Sequence, residues 1–177
     1  TILAGTGQFS SYGKDGGSVC GVFRSADGGA SWQVLGRDEF LRLSIRRVVP
    51  TSDPNVIFVA AERFTLDDPK DSGGVYRSSD GGATFALVDP RLAGTATDII
   101  ADPMQTSRFY AAVCRKGIFR SDDSGQTWSR IDDAAGAAVG GIDAAVNIRL
   151  AISGSPGRVS RLYAGVVTND TDSISFG

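Results

Sequence analysis

Carboxylates are the residues of this sequence best equipped for chemistry, because the chain contains no histidine. Without imidazole there is no Ser-His-Asp triad, no His-based zinc site and no ordinary neutral-pH proton shuttle. The stretch ERFTLDDPKD gathers Glu62, Arg63, Asp67, Asp68, Lys70 and Asp71. Two carboxyls facing one glycosidic bond can act as acid and base, or as acid and nucleophile. They must then stand roughly 6.5–9.5 Å apart for an inverting displacement, or about 5 Å for a retaining one. A shorter stretch, CRKG, offers Arg115 and Lys116. The TNDTD run at Thr168–Asp172 carries oxygens that Ca²⁺ favours, without the Asp/Asn/Gly spacing of a known calcium loop. Neither a metal nor a cofactor is expected.

These groups fall between segments that repeat. RSADGGASW at Arg24–Trp32 returns as RSSDGGATF from Arg77 and as RSDDSGQTW from Arg120. A catalytic site needs unlike groups converging once, whereas this box offers the same groups three times. It therefore reads as a structural joint at a hairpin turn. Asp27, Asp80 and Asp123 are placed to accept hydrogen bonds from turn amides. Gly29, Gly82 and Gly125 can supply a positive φ, and the hydroxyls of Ser25, Ser78 and Ser121 can tie the preceding strand to the turn. Trp32, Phe85 and Trp128 are expected to bury a large ring between repeating units. Arg24, Arg77 and Arg120 precede each box and are expected to lay their stems along the sheet.

Each box follows a short β-rich phrase, GVFRS, GVYRS or GIFRS. Upstream lies a second strand-like run: TILAGTG, NVIFVAAE, RFYAAVC and a fourth copy, RLYAGVV. Before the last three copies come LSIRRVVP, ATDIIADP and NIRLAIS, joined to them by Pro- and Gly-containing turns. From Ile57 to Phe109 is 52 residues and from Phe109 to Leu162 is 53. Four short strands, A to D, at a period near 50 predict an all-β partial propeller of four-stranded antiparallel blades. The blades are expected at 1–36 (strands B to D), 37–90, 91–133 and 134–177, the last only begun. The Ala/Gly-rich DDAAGAAVGGIDAA holds too many glycines for a stable helix. Propellers close with about 4–8 blades, so the chain reads as a segment of a longer ring, with the remaining blades among its expected partners.

The boxes also carry a family resemblance. RSADGGASW, RSSDGGATF and RSDDSGQTW resemble the Asp-box, or BNR repeat, of sialidases, xyloglucanases, sortilin-type receptors and photosystem II assembly factors. The resemblance spans essentially the whole chain. It implies a propeller whose boxes lie on the blade periphery, away from the ligand, and it favours an extracytoplasmic or secreted setting. A sialidase resemblance would need an Arg-Ile-Pro phrase before the first box, and none occurs here; IRRVVP is a loose echo in the second unit. No carboxylate phrase of the xyloglucanases can be matched residue by residue.

Alternation of strands places the B–C and D–A connections on one face and the boxes on the other. Binding concentrates in long loops on a rigid scaffold, so Glu62, Arg63, Asp67, Asp68, Asp71, Arg115 and Lys116 are the ligand-binding candidates. Lys14, Asp15, Asn169, Asp170 and Asp172 share that face, and Phe9, Tyr12 and Phe64 could add contact surface. The expected function is a non-catalytic binding or scaffold propeller that recognises a protein or a glycan there. The alternative is a carboxylate-based glycoside hydrolase with part of its site in further blades. Eighteen basic against 20 acidic residues leave a formal charge of −2, which excludes an overall basic field for nucleic acid. No apolar run reaches the roughly 20 residues of a membrane helix. The two cysteines, Cys20 and Cys114, fall two units apart and read as free thiols. GTGQFS lacks the third glycine of a dinucleotide fingerprint, and GKDGGS lacks the Lys-Ser/Thr pair of a phosphate loop.

Overall fold

The structure is a computed structural model that describes residues 1–7, 20–63, 73–133 and 139–168. The first sheet is β1 (Ile2–Gly5), β2 (Val22–Ser25) and β3 (Gln33–Leu35), in that spatial order. The second sheet is β4 (Leu43–Pro50), β5 (Ile57–Arg63), β6 (Gly74–Ser78) and β7 (Ala86–Leu87). The third is β8 (Ala96–Asp102), β9 (Gln105–Val113), β10 (Gly117–Ser121) and β11 (Ser129–Arg130). The fourth is the pair β12 (Ala145–Ser153) and β13 (Arg161–Thr168). Every pairing is antiparallel between consecutive strands. Four meandering sheets stacked face to face are part of a β-propeller. Outside the strands, Pro90–Leu92 and Ile142–Ala144 form single 3₁₀ turns. The second lies in the Ala/Gly-rich segment, whose residues 134–138 fall outside the described ones.

Successive side chains of a strand point to opposite faces, and here both faces are covered. On β5, Ile57, Val59 and Ala61 join Val22, Leu35 and Phe40 in the layer shared with the first sheet. The intervening Phe58 and Ala60 join Phe109, Ala111, Val113 and Trp128 in the layer shared with the third. A third layer sets Tyr110, Ala112 and Ile118 against Ile148 and Leu150 of the fourth sheet. This double burial explains why NVIFVAAE is an unbroken apolar run and not an alternating one. Phe58 is fully buried, with its ring centroid 4.5 Å from that of Phe109 and 6.3 Å, edge-on, from Trp128.

The boxes end strands β2, β6 and β10, and all three use the same hydrogen bonds. In the second, Ser78 Oγ donates to Asp80 Oδ1 (2.7 Å) and accepts from Gly82 N (2.8 Å). Asp80 then accepts from Thr84 N (3.0 Å) and Thr84 Oγ1 (2.6 Å). Ser25, Asp27, Gly29 and Ser31 repeat the set, as do Ser121, Asp123, Gly125 and Thr127. Gly82 and Gly125 have φ of 94° and 81°, and a Cβ there would run into Leu35 and into the Phe58 ring respectively. Gly82 and Gly125 thus meet the preceding sheet directly, whereas Gly29 faces only Ile2 and Trp32 of its own sheet.

Two expectations change. The arginines before the boxes do more than lie along the sheet. Arg24 Nη1 donates to the carbonyl of Gly81 (3.1 Å), and Arg77 Nε donates to that of Ser124 (3.0 Å). Each reaches one unit ahead to the same position of the next box, while Arg120 turns back onto Asp122. Phe85 and Trp128 are buried at 7% and 3% exposure, but Trp32 is 46% exposed. Phe85 and Trp128 pack against the sheet before their own; Trp32 belongs to the first sheet, which has none before it among the described residues.

Two stability measurements follow from this packing. Phe58→Ala should cost about 3–5 kcal/mol in denaturant unfolding. Tyr163→Ala, at the equivalent position of the fourth sheet but 55% exposed, should cost about 0.5 kcal/mol or less. For the box, burial works against the Asp123 carboxylate, but hydrogen bonds from the Thr127 hydroxyl and amide, Ser121 and Gln126 prevail and hold its pKa at about 2. A depressed carboxylate contributes stability above its unfolded pKa and loses it as pH falls through the folded value. Asp123→Asn should therefore destabilise at neutral pH, and its deficit against the parent should shrink between pH 4 and pH 2 in an acid titration followed by circular dichroism.

Candidate functional site

The register decides which end of the sheets carries which residues. Ile57 pairs with Ser78, so the second box lies at the start of β5; Ala61 pairs with Gly74, so Glu62 lies at the far end. The first residues of β4, β8 and β12 share that far end. These first strands of three sheets lie side by side, and each is interrupted by a β-bulge near its beginning. The extra residue is Arg46 in β4, Thr97 in β8 and Val146 in β12. A bulge re-aims the side chains around it. Here it breaks the alternation of LSIRRVVP and ATDIIADP at the rim where the three strands meet.

Unlike groups meet at that rim. Arg47 pairs across its sheet with Ala60, Asp98 with Ala112 and Arg149 with Gly165, which makes the three equivalent positions on adjacent first strands. Asp98, at 2% exposure, accepts from Leu150 N (2.9 Å) and Ile99 N (3.0 Å) and is paired with Arg47 Nε at 3.2 Å. It therefore binds together three sheets. Thr97 Oγ1 donates to Ile148 O (2.9 Å) and accepts from Ile148 N (3.2 Å), and Arg149 Nη1 donates to Thr97 O (3.3 Å). Arg46 Nη1 reaches Glu62 Oε1 at 3.1 Å, both side chains being largely covered. A hollow of about 240 Å³ beside them is lined by Leu3, Gly5, Ile45, Arg46, Arg47 and Val48.

Burial raises the pKa of Glu62, against the opposing pull of Arg46 and Arg149. The Cys114 thiol is pushed up by burial too, with Glu62 adding to the effect and Thr97, Arg115 and Arg46 opposing it. Glu62, Arg46, Arg149 and Cys114 thus lie near the same end of the sheets, as the register requires. Arg115 and Lys116 occupy the tight turn between β9 and β10, where Lys116 N donates to Val113 O (3.1 Å). Arg115 sits there at φ 62°, a conformation that costs any residue with a branched or long side chain.

Of the residues expected at this face, Glu62, Arg115 and Lys116 stand at the rim, and Arg63 lies there by backbone position as the last residue of β5. Asp67, Asp68 and Asp71 lie outside the described residues, as do Phe9, Tyr12, Lys14, Asp15, Phe64, Lys70, Asn169, Asp170 and Asp172. The rim residues Arg46, Arg47, Thr97, Asp98 and Arg149 were not anticipated. Their signal was a polar pair inside an otherwise apolar strand, as in IRRVV and ATDII. Among the described residues no group of three metal-ligating side chains comes together. A larger hollow of about 470 Å³, lined by Ser153, Ser155, Arg158, Val159, Arg161 and Tyr163, lies at the opposite end of β12 from the rim.

Stacked four-stranded meanders that meet along their first strands define the class: a partial β-propeller. No family model matches the chain. A stretch of 89 residues, 45% of the chain, is 29% identical to the xyloglucanase Xgh74A of Acetivibrio thermocellus and covers 11% of that protein. The GH74 xyloglucanase from Xanthomonas campestris superposes on 96% of the chain at a TM-score of 0.60 and 21% identity, with 26% of its own length covered. An ancestral GH74 enzyme matches 64% of the chain and 15% of its own length, at 25% identity and a TM-score of 0.48. The chain therefore spans about a quarter or less of these three proteins, and the Xanthomonas likeness establishes the fold.

The raised Glu62 gives a pH signature with a definite sign. A carboxyl whose folded pKa exceeds its unfolded value of about 4.3 contributes stability below that value and loses it as pH rises through the folded one. Relative to Glu62→Gln, the parent should gain stability on acidification from pH 7 to pH 4 and match or trail the variant at pH 7. A parent that loses ground to the variant over that range would show the Arg46 pair, not burial, in control.

Proposed function

We propose that this chain is the ligand-holding part of a β-propeller that binds a polysaccharide at the rim of its first strands, without cleaving it. One observation carries the reading: Arg46, Arg47, Glu62, Asp98, Arg115 and Arg149, unlike groups from three sheets, converge once, whereas the boxes repeat identical groups at the other end. The 29% identity to a xyloglucanase supports a sugar polymer as the ligand class. Cleavage is the less supported step because Asp98, the one further carboxylate described on the first strands at the rim, already answers three donors. The second reading, glycoside hydrolysis, draws on Glu62, whose burial favours the protonated form that a general acid needs.

The hydrogen bonds common to the three turns support reading them as Asp-boxes, with blades at 1–36, 37–90, 91–133 and 134–177. The exposure of Trp32 and Tyr163, whose equivalents Phe85, Trp128 and Tyr110 are buried, supports further blades of one ring as packing partners. An extracytoplasmic or secreted setting accords with a polysaccharide ligand.

Electrophoresis of the protein through gels containing xyloglucan or other plant and microbial polysaccharides, with reducing-end release measured in parallel, separates the readings. Binding should retard migration with no new reducing ends, and Glu62→Gln should still bind. Reducing ends that disappear in Glu62→Gln would establish the hydrolase instead.

A further inference from the structure

Two acids are described at the rim on β4, β5, β8 and β12, and both are already engaged; Asp132, beside Gly117 at the same end of the third sheet, is engaged too, by Ile118 N and Arg130. Asp98 is saturated by two amides and Arg47. Glu62 is held by Arg46 in a setting that disfavours its charge. Arg149 is different. Its guanidinium touches the rim through one backbone carbonyl, that of Thr97, and no carboxylate lies within ion-pair distance of it among the described residues. Arg115 and Lys116 likewise have no ion-pair partner among the described residues and are exposed. Arg115 is moreover presented from a left-handed backbone position that would suit glycine or asparagine better. The rim thus gathers surplus cations on a chain whose formal charge is −2.

The surplus is local and not part of a general basic field. Beyond its bond to Thr97 O, the Arg149 guanidinium keeps N–H groups with which such a planar fork can grip a carboxylate. Neutral sugars are gripped differently, by stacking on exposed aromatic faces, which combine a large apolar surface with polar edges. The large aromatic side chains exposed among the described residues are Trp32, in the first box, and Tyr163, beside the hollow at the other end of β12. Neither is at the rim.

Resting on the polysaccharide reading above, we infer that the polymer held at the rim is an acidic one, whose uronate-type carboxylates are gripped by Arg149 and Arg115. The neutral backbone of the sugar chain then lies across the rim between these cations. Arg149 is the principal contact, with Arg115 and Lys116 engaging a neighbouring carboxylate along the polymer.

The test is a binding titration of the intact chain with polygalacturonate, fully methyl-esterified polygalacturonate, xyloglucan and poly-L-glutamate. The esterified polymer keeps the sugar chain and removes the charge. Polygalacturonate should bind at least tenfold more tightly than its ester, and binding should weaken as salt rises. Arg149→Gln should lose at least tenfold, while Arg158→Gln, at the far end of β12, should bind like the parent. If Arg149→Gln fails to fold, Arg115→Gln should show the same loss. Equal binding of the ester, or equal behaviour of Arg149→Gln and Arg158→Gln, would overturn the inference. Equal binding of poly-L-glutamate would overturn it too, by showing a carboxylate site with no preference for sugar. Binding of xyloglucan alone would leave the polysaccharide reading standing and remove the acidic one; binding of no polysaccharide would remove both.

Discussion

No interior sheet of this molecule can exist without its neighbours, and the rest of the structure depends on that constraint. Phe58 and Val59 are adjacent, point to opposite faces of the second sheet, and are both fully buried. A sheet with two apolar faces must be covered twice, so the stack grows as a series in which each interface helps to hold the next. The clips formed by Arg24 on Gly81 and by Arg77 on Ser124 add a polar stitch one unit ahead. They land on turn carbonyls that the box holds in place. The box is therefore best understood as an anchor point for the neighbouring unit as well as a turn within its own.

The same stacking brings the first strands together at one edge, and there the chemistry changes from apolar to ionic. Asp98 spans the three strands through amides of its own and the next strand and the guanidinium of Arg47. The bulges near the start of β4 and β8 place two further polar residues there, Arg46 and Thr97. Repeated and unrepeated chemistry thus separate along the strand axis. Identical side chains close the box end, and dissimilar ones meet at the rim.

The propeller was legible in the sequence because its joints are spelled almost identically three times and because the second strand recurs at a steady spacing. The rim was much less legible. Register within a bulged strand depends on its partner, so nothing in LSIRRVVP alone shows that Arg46 will reach Glu62 while Arg47 reaches Asp98. The reach of Arg24 and Arg77 into the next unit was hidden for a similar reason: their partners are backbone carbonyls, which have no residue-type signature. Phe40 was missed as well. It lies in the connection before β4 and packs its ring on Tyr76 and Phe85 at 5.2 and 4.9 Å. Trp32 is exposed because the burial that the repeat implies needs a preceding sheet, and none is present among the described residues.

The central claim is that ligand recognition belongs to the rim of the first strands and that the boxes are joints. Amide hydrogen exchange of the intact chain, with and without saturating polysaccharide, tests it most directly. The account predicts new protection at residues 43–49, 96–99, 113–117 and 145–150, with the amides of Gly82 and Gly125 unchanged. Protection gained at the box turns, with the rim unaffected, would contradict it.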